Sequence, residues 1–197
     1  MTDRHRHAAP MALAIAAAIA LAACTGSIAA PSAATRATAL ASGPPAPAVG
    51  LTQAWATAPL VDVATGQTFH IADHAGRVII IETMAIWCTN CRAQQRDVQA
   101  ALARLPAGQV VYIVLDVDPS EDGASLAAYR TKNGFQGRYT VAGNAAARAF
   151  AADFGDQFLN PPSTPMLVVG SDGTVTRTSS GHKSVEDIVA LAKAHGA

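Results

Sequence analysis

The sequence predicts an α/β fold in which a mixed central sheet is flanked by helices. Three observations predict it. Two continuous apolar runs, 77–84 and 109–117, have the length and β-branched content of strands buried on both faces. Segments with apolar residues at helical spacing follow each of them. A hairpin signal, Ser171-Asp172-Gly173, joins two short strand-type segments late in the chain, and a last helix follows. Strands that alternate with helices and close on a hairpin fit neither an all-α nor an all-β plan.

The folded domain is expected over 55–197, opening at Trp55, whose indole reads as core packing. Thr65-Gly66 is a turn, and 67–71 alternates polar and apolar residues as a half-buried strand does. The run 77–84 is the central strand, interrupted only by Glu82 and Thr83. Ala93, Val98, Ala101, Leu102 and Leu105 then share one face of a helix that Pro106-Ala107-Gly108 ends. Residues 109–117 form the second buried strand. Asp118-Pro119-Ser120 is a turn, and Ser120 or Asp122 caps a helix over 123–131 that stops at Asn133-Gly134. A short strand at 139–142 leads to a helix capped by Asn144, with Ala147, Phe150, Ala151 and Phe154 on one side. Residues 155–163 are loop. Strands at 165–169 and 174–179 flank the hairpin turn. Ser184 caps the final helix, where Glu186 and Asp187 in the first turn and Lys193 in the last suit the helix dipole.

The length of 197 residues suits one domain with extensions. Arg4, His5, Arg6 and His7 form a basic start, and 11–23 is an apolar stretch too short and too Ala-rich to span a bilayer well. It runs into Leu21-Ala22-Ala23-Cys24, which resembles the lipobox of bacterial lipoproteins. That resemblance implies a signal peptide over 1–23, cleavage before Cys24, and lipidation of Cys24. An ordinary signal peptide cut a few residues later is the alternative. Both readings export the chain to a compartment where disulfides persist. Thr25 after the cysteine leans towards the outer over the inner membrane, so the expected place is the periplasmic side of a bacterial membrane. Residues 24–54 are rich in Ala, Pro and Ser and read as a flexible tether, which over about 30 residues reaches roughly 30 Å root-mean-square.

Composition bounds the partners. Lysines plus arginines equal aspartates plus glutamates at 14 each, so nothing points to nucleic acid. Three cysteines, Cys24, Cys88 and Cys91, are too few for a disulfide framework. Two of them stand in Trp87-Cys88-Thr89-Asn90-Cys91, directly after the central strand and opening a helix. Two intervening residues let the side chains close a small ring at the first helical turn. Thiol–disulfide exchange needs an attacking thiolate and a second thiol to resolve the mixed disulfide. Cys88 near the helix N-cap meets unpaired N–H groups that favour a negative sulfur, so it is the expected nucleophile. Cys91, one turn further in, would resolve. Trp87 would shield the pair and offer a substrate an apolar surface. Half of a zinc site, or a buried pair of free thiols, are the other readings of a lone C-x-x-C. Zinc wants four ligands, and no second C-x-x-C exists here.

Apolar strand, Trp87-Cys88-x-x-Cys91 and helix together resemble the thioredoxin superfamily, and with the lipoprotein-type start they resemble its membrane-tethered TlpA/ResA-like branch. The resemblance covers roughly 55–196. It implies a thioredoxin-like fold with the extra β–α insertion of that branch within 134–155. It implies a redox-active Cys88–Cys91 disulfide in place of any cofactor. It makes Pro165 a cis-proline beside the cysteines and Thr164 before it a residue that pairs with substrate backbone. It places in Glu82, six residues before Cys88, the buried carboxyl that helps deprotonate the resolving cysteine, with the raised pKa of a proton shuttle. Thr89-Asn90 departs from the Gly-Pro of thioredoxin, and that dipeptide tunes the reduction potential.

The function these residues imply is exchange with cysteines of envelope proteins, run as a reductase, with a membrane thiol as electron donor and the chain a monomer. The alternative is a thiolate-based copper chaperone on the same scaffold, with Met84 as the nearest further sulfur in sequence. Elsewhere, Asp116, Asp118, Glu121 and Asp122 read as a solvated acidic turn, and His182-Lys183 as surface.

Overall fold

The computed structural model describes residues 50–197. The expected signal peptide, Cys24 and most of the tether lie outside the described residues. No helix among the described residues is long and apolar enough to cross a membrane.

The chain runs α1 (Ala54–Thr57), β1 (Leu60–Val61), β2 (Thr68–Phe69), β3 (Val78–Met84), α2 (Thr89–Leu102), β4 (Val110–Asp116), α3 (Gly123–Asn133), β5 (Arg138–Val141), α4 (Asn144–Phe154), β6 (Met166–Val169), β7 (Val175–Arg177) and α5 (Val185–Ala194). Tight 3₁₀ turns occupy Ile71–His74, Asp156–Leu159 and Pro161–Ser163. The main sheet has the order β5-β4-β3-β6-β7. β3 pairs parallel with β4 and antiparallel with β6, so the run that was most apolar in sequence is the central strand. All seven of its residues are buried. Sheet and helices form the α/β arrangement expected, and β5 with α4 occupies the place foreseen for the extra β–α unit.

Period-2 alternation along β3 sorts the core into two layers. Val78, Ile80 and Met84 face a layer that holds Val98 of α2, Leu126 and Tyr129 of α3, and Ile188 of α5. Ile79 and Ile81 face the other, built with Trp55 of α1, Phe150 of α4 and Phe158. Trp55 meets Phe150 and Phe154 at ring-centroid distances of 5.6 and 5.3 Å, so it is core packing as read.

Several boundaries differ from the sequence expectation, each for a local reason. The strand at 67–71 shrinks to Thr68–Phe69, pairs only with β1, and stays outside the main sheet. His70 N–H donates to Asp73 Oδ2 at 2.7 Å, and that cap turns the chain at once into the 3₁₀ turn. The short α1 and β1 carried too few residues for a periodic signal. Helix α2 ends at Leu102, not Leu105, because Arg104 and Leu105 donate to the Ala101 and Leu102 carbonyls in a tightened last turn. Asn144 does not cap α4; Gly143 takes the N-cap place without a side-chain bond. Asp122 caps α3 through Ser125 N–H, Gly134 ends it at φ 68°, and Ser184 with Asp187 forms a capping box on α5.

Candidate active site

Cys88 is the N-cap of α2, and its sulfur accepts the Cys91 N–H at 3.1 Å. The two cysteines are joined in a disulfide with Cα atoms 5.3 Å apart. Cys88 is 2% exposed and Cys91 is fully buried, whereas Trp87 beside them is 57% exposed. The corner forms here because β3 ends at Met84, Cys88 N–H closes a turn onto the Ala85 carbonyl, and α2 starts at the next residue. Helix N–H groups therefore point at the sulfurs.

The segment 161–164 lies against this corner. The Pro161 carbonyl oxygen is 3.2 Å from Cys91 Sγ. Asn90 Nδ2 donates to the Pro162 carbonyl at 3.2 Å, so Asn90 ties α2 to the segment while Thr89 stays exposed. Thr164 sits in the left-handed region at φ 44°, a conformation that costs a non-glycine residue about 1–2 kcal/mol. Both its backbone groups are engaged: N–H to the Pro161 carbonyl at 2.8 Å, C=O to Lys183 Nζ at 2.6 Å. Pro165 is buried immediately before β6.

Glu82 is fully buried on the face of β3 that looks towards the cysteine layer. Tyr112 donates its hydroxyl to Glu82 Oε2 at 2.7 Å, and Oε1 has no partner among the described residues. Burial pushes the carboxyl up to about 8; the Tyr112 hydrogen bond and the Lys183 charge pull the other way. Burial also holds the Tyr112, Tyr129 and Tyr139 phenols above their ordinary range, so Glu82 sits among neutral rings. Gln95 of α2 fills the gap: its Oε1 accepts from both Tyr129 and Tyr139 at 3.1 Å, and its Nε2 donates to Met84 Sδ at 3.3 Å. The Met84 sulfur, the further ligand of the copper reading, is thus already bonded. Among the described residues no group of three or more His, Cys, Asp and Glu side chains is gathered as for a metal.

Two features of the site were misread in the sequence. The acidic turn is not merely solvated. Asp116 is fully buried at the end of β4, paired in register with Met84. Burial first, then the neighbouring Glu121 carboxyl, pushes its carboxyl up to about 8, and its Oδ2 has no partner among the described residues. Glu121 accepts the Ile86 N–H at 2.7 Å, and Asp118 accepts the Trp87 indole N–H at 2.7 Å. Both residues before Cys88 are therefore held by this turn. Lys183 is the second correction: it is 8% exposed and points inward, while His182 stays exposed against Asp97 at 2.6 Å. Gln94 turns the 182–184 segment inward, accepting from Lys183 N–H at 2.7 Å and donating to its carbonyl at 3.1 Å. Gln94 and Gln95 replace Ala93 on the buried stripe of α2, and polar residues there left no apolar signal in the sequence.

This sheet order, with a Cys-x-x-Cys disulfide opening the helix after the central strand, defines the thioredoxin-like fold. No protein-family model and no curated protein matches the chain. Solved structures do. A thiol:disulfide interchange protein of the thioredoxin family from Chlorobium tepidum is similar at TM-score 0.60 and 22% identity, over 71% of this chain and 94% of that one. A secreted Mycobacterium tuberculosis disulfide oxidoreductase, homologous to E. coli DsbE, is similar at TM-score 0.58 and 14% identity, over 71% and 97% of the two chains. The thioredoxin domain of a Bacteroides vulgatus thiol-disulfide oxidoreductase gives TM-score 0.52 at 9% identity, over 70% and 91%. The fold is that of thioredoxin-family thiol-disulfide oxidoreductases.

Proposed function

We propose that the protein is a thiol-disulfide oxidoreductase that exchanges its Cys88–Cys91 pair with cysteines of other proteins and runs as a reductase. The observation that carries the reading is a Cys-x-x-Cys disulfide at a helix N-cap above a fully buried carboxyl. In the reduced form the α2 N-terminus favours the Cys88 thiolate, which attacks a substrate disulfide and releases one substrate sulfur. Cys91 then has to lose its proton within an apolar layer. Glu82, raised into the range where it exchanges protons near neutrality, is the acceptor for it. The Cys91 thiolate attacks Cys88 Sγ, the second substrate sulfur leaves as a thiolate and is protonated, and two electrons have passed from the dithiol to the substrate. Trp87, exposed and fixed by Asp118, would offer the substrate an apolar platform. Thr164 N–H and C=O are both bonded within the chain, so substrate backbone would pair with Thr164 only in exchange for those bonds.

The setting belongs to the same proposal. The basic start, the apolar stretch and Cys24 support export and lipid anchoring on the periplasmic side of a bacterial membrane, with the outer membrane favoured. The Mycobacterium tuberculosis neighbour is described as secreted, which agrees with export. Substrates would be cysteine-containing envelope proteins, and a membrane thiol would return the electrons to a monomeric enzyme. The test is insulin reduction with a dithiol as donor. The wild-type protein precipitates the insulin B chain and Cys88→Ser does not; equal rates for the two would overturn the reading.

A further inference from the structure

Beside the cysteines, α2 and α3 bound a groove of about 280 Å³, lined by Ile86, Arg92, Ala128, Tyr129, Lys132 and Asn133. Ile86 stands two residues before Cys88, so its Cα lies within about 7.6 Å of the Cys88 Cα. Arg92 directly follows Cys91, and its N–H donates to the Cys88 carbonyl at 3.2 Å. The groove therefore lies next to the reactive corner and to exposed Trp87. Helix polarity accounts for one of its two cations and not for the other. Lys132 stands in the last turn of α3, where the helix dipole favours a cation. Arg92 stands at the start of α2, where the dipole disfavours one, and no acidic residue shares that first turn. Arg96 follows four residues on, and like charges at that spacing repel. Among the described residues no carboxylate forms an ion pair with Arg92, Arg96 or Lys132. The acids of the neighbouring turn are committed elsewhere: Glu121 to Ile86 N–H, Asp118 to the Trp87 indole and Ser120, Asp122 to the cap of α3. Arg92 Nε is buried and has no hydrogen-bond partner among the described residues. A guanidinium with a spare donor, between the apolar surfaces of Ile86, Ala128 and Tyr129, suits a carboxylate carried on a short aliphatic stem.

We propose that this groove is a substrate subsite that receives an aspartate or glutamate side chain standing close in sequence to the target cysteine of the polypeptide. The proposal rests on the thiol-disulfide exchange reading above and adds to it the class of polypeptide preferred. An extended chain advances about 3.3 Å per residue, so an acid about two or three residues from the target cysteine reaches the Ile86 end of the groove. Arg92 from α2 and Lys132 from α3 give its carboxylate charge-assisted hydrogen bonds. Trp87 takes the apolar contact at the cysteine itself. Binding there supplies the carboxylate that the first turn of α2 lacks, so substrate and helix gain together.

The test mixes reduced full-length protein in stopped flow with two peptides that differ at one position, glutamate against glutamine, two residues from a cysteine held as a mixed disulfide with an uncharged aromatic thiol. The Cys88 thiolate bonds to the peptide sulfur and the aromatic thiolate, the better leaving group, is expelled and read by its absorbance. Cys88→Ser serves as the blank for other thiols, and each peptide's rate is divided by its rate with a small neutral dithiol. The wild type is expected to take the glutamate peptide about three- to tenfold faster at low salt. At about 1 M salt the ratio is expected to fall towards one. Arg92→Gln and Lys132→Gln are each expected to lower the ratio, and a change that merely alters Cys88 reactivity cancels in it. Lys132→Glu is expected to turn the preference towards a lysine at the same peptide position. Equal wild-type rates for the two peptides, or a wild-type ratio kept by both glutamine variants, overturns the subsite. Absence of release from the wild type with either peptide would instead overturn the exchange reading itself.

Discussion

Replacing Glu82 by glutamine tests the buried carboxyl through stability, without reference to any substrate. Glu82 is fully buried, and its carboxyl is raised from 4.5 to about 8. Between those two values the folded protein keeps a proton that the unfolded chain has released. Folding stability therefore falls as pH rises from about 4.5 to about 8 and levels off above. At 1.36 kcal/mol per unit the full span is about 5 kcal/mol, and relaxation of the site lowers that to roughly 2–4 kcal/mol. Glutamine mimics the protonated acid, and its carbonyl can still accept from Tyr112. Its amide takes the place of Oε1, which has no partner, and this costs about 1–3 kcal/mol at every pH. The pH dependence is therefore the clean quantity. Urea unfolding of the oxidised protein at pH 5 and pH 8 is expected to show the wild type losing roughly 2–4 kcal/mol more than Glu82→Gln across that interval. Asp116, which also titrates at about 8, contributes equally to both proteins and cancels. Equal losses in the two proteins would refute the reasoning.

Further predictions concern the supports of the corner. Glu121→Gln removes the carboxylate beside Asp116, so the Asp116 titration, followed by carboxyl-carbon NMR, moves down from about 8; an unchanged titration would separate the two groups. Gly137→Ala is expected to destabilise the fold by about 1–3 kcal/mol in urea. Gly137 has φ 118°, and a Cβ there would meet Tyr112 at 2.9 Å, the residue that bonds Glu82. A variant as stable as wild type would show that Tyr112 can give way.

How much was legible in the sequence follows from what leaves a periodic or covalent trace. The strand 78–84 announced itself by four consecutive β-branched residues, Val78 to Ile81, and Glu82 stood out as the one charge within it. Cys88 and Cys91 were legible through their spacing and their place between a buried strand and a helix, and Ser184 as a helix cap. Gln94 and Gln95 were not, because a buried glutamine satisfied by tertiary partners resembles a solvent-facing one in a helix pattern. Lys183 was missed for the same reason: its partners, Gln94 and Thr164, lie 89 and 19 residues away in the chain. Asp116 looked like one more acid in a turn, and only the register of β4 against β3 buries it behind the active corner. The polar supports of this site are set by topology, whereas its reactive atoms are set by local sequence.

The central claim is that Cys88 attacks and Cys91 resolves, and trapping tests it most directly. Reduced Cys91→Ser protein, challenged with a disulfide-bonded polypeptide and analysed by peptide mass spectrometry under non-reducing conditions, is expected to accumulate a mixed disulfide through Cys88. Cys88→Ser is expected to accumulate none through Cys91, because that thiol is fully buried. A mixed disulfide carried by Cys91, or none from either variant, would contradict the account.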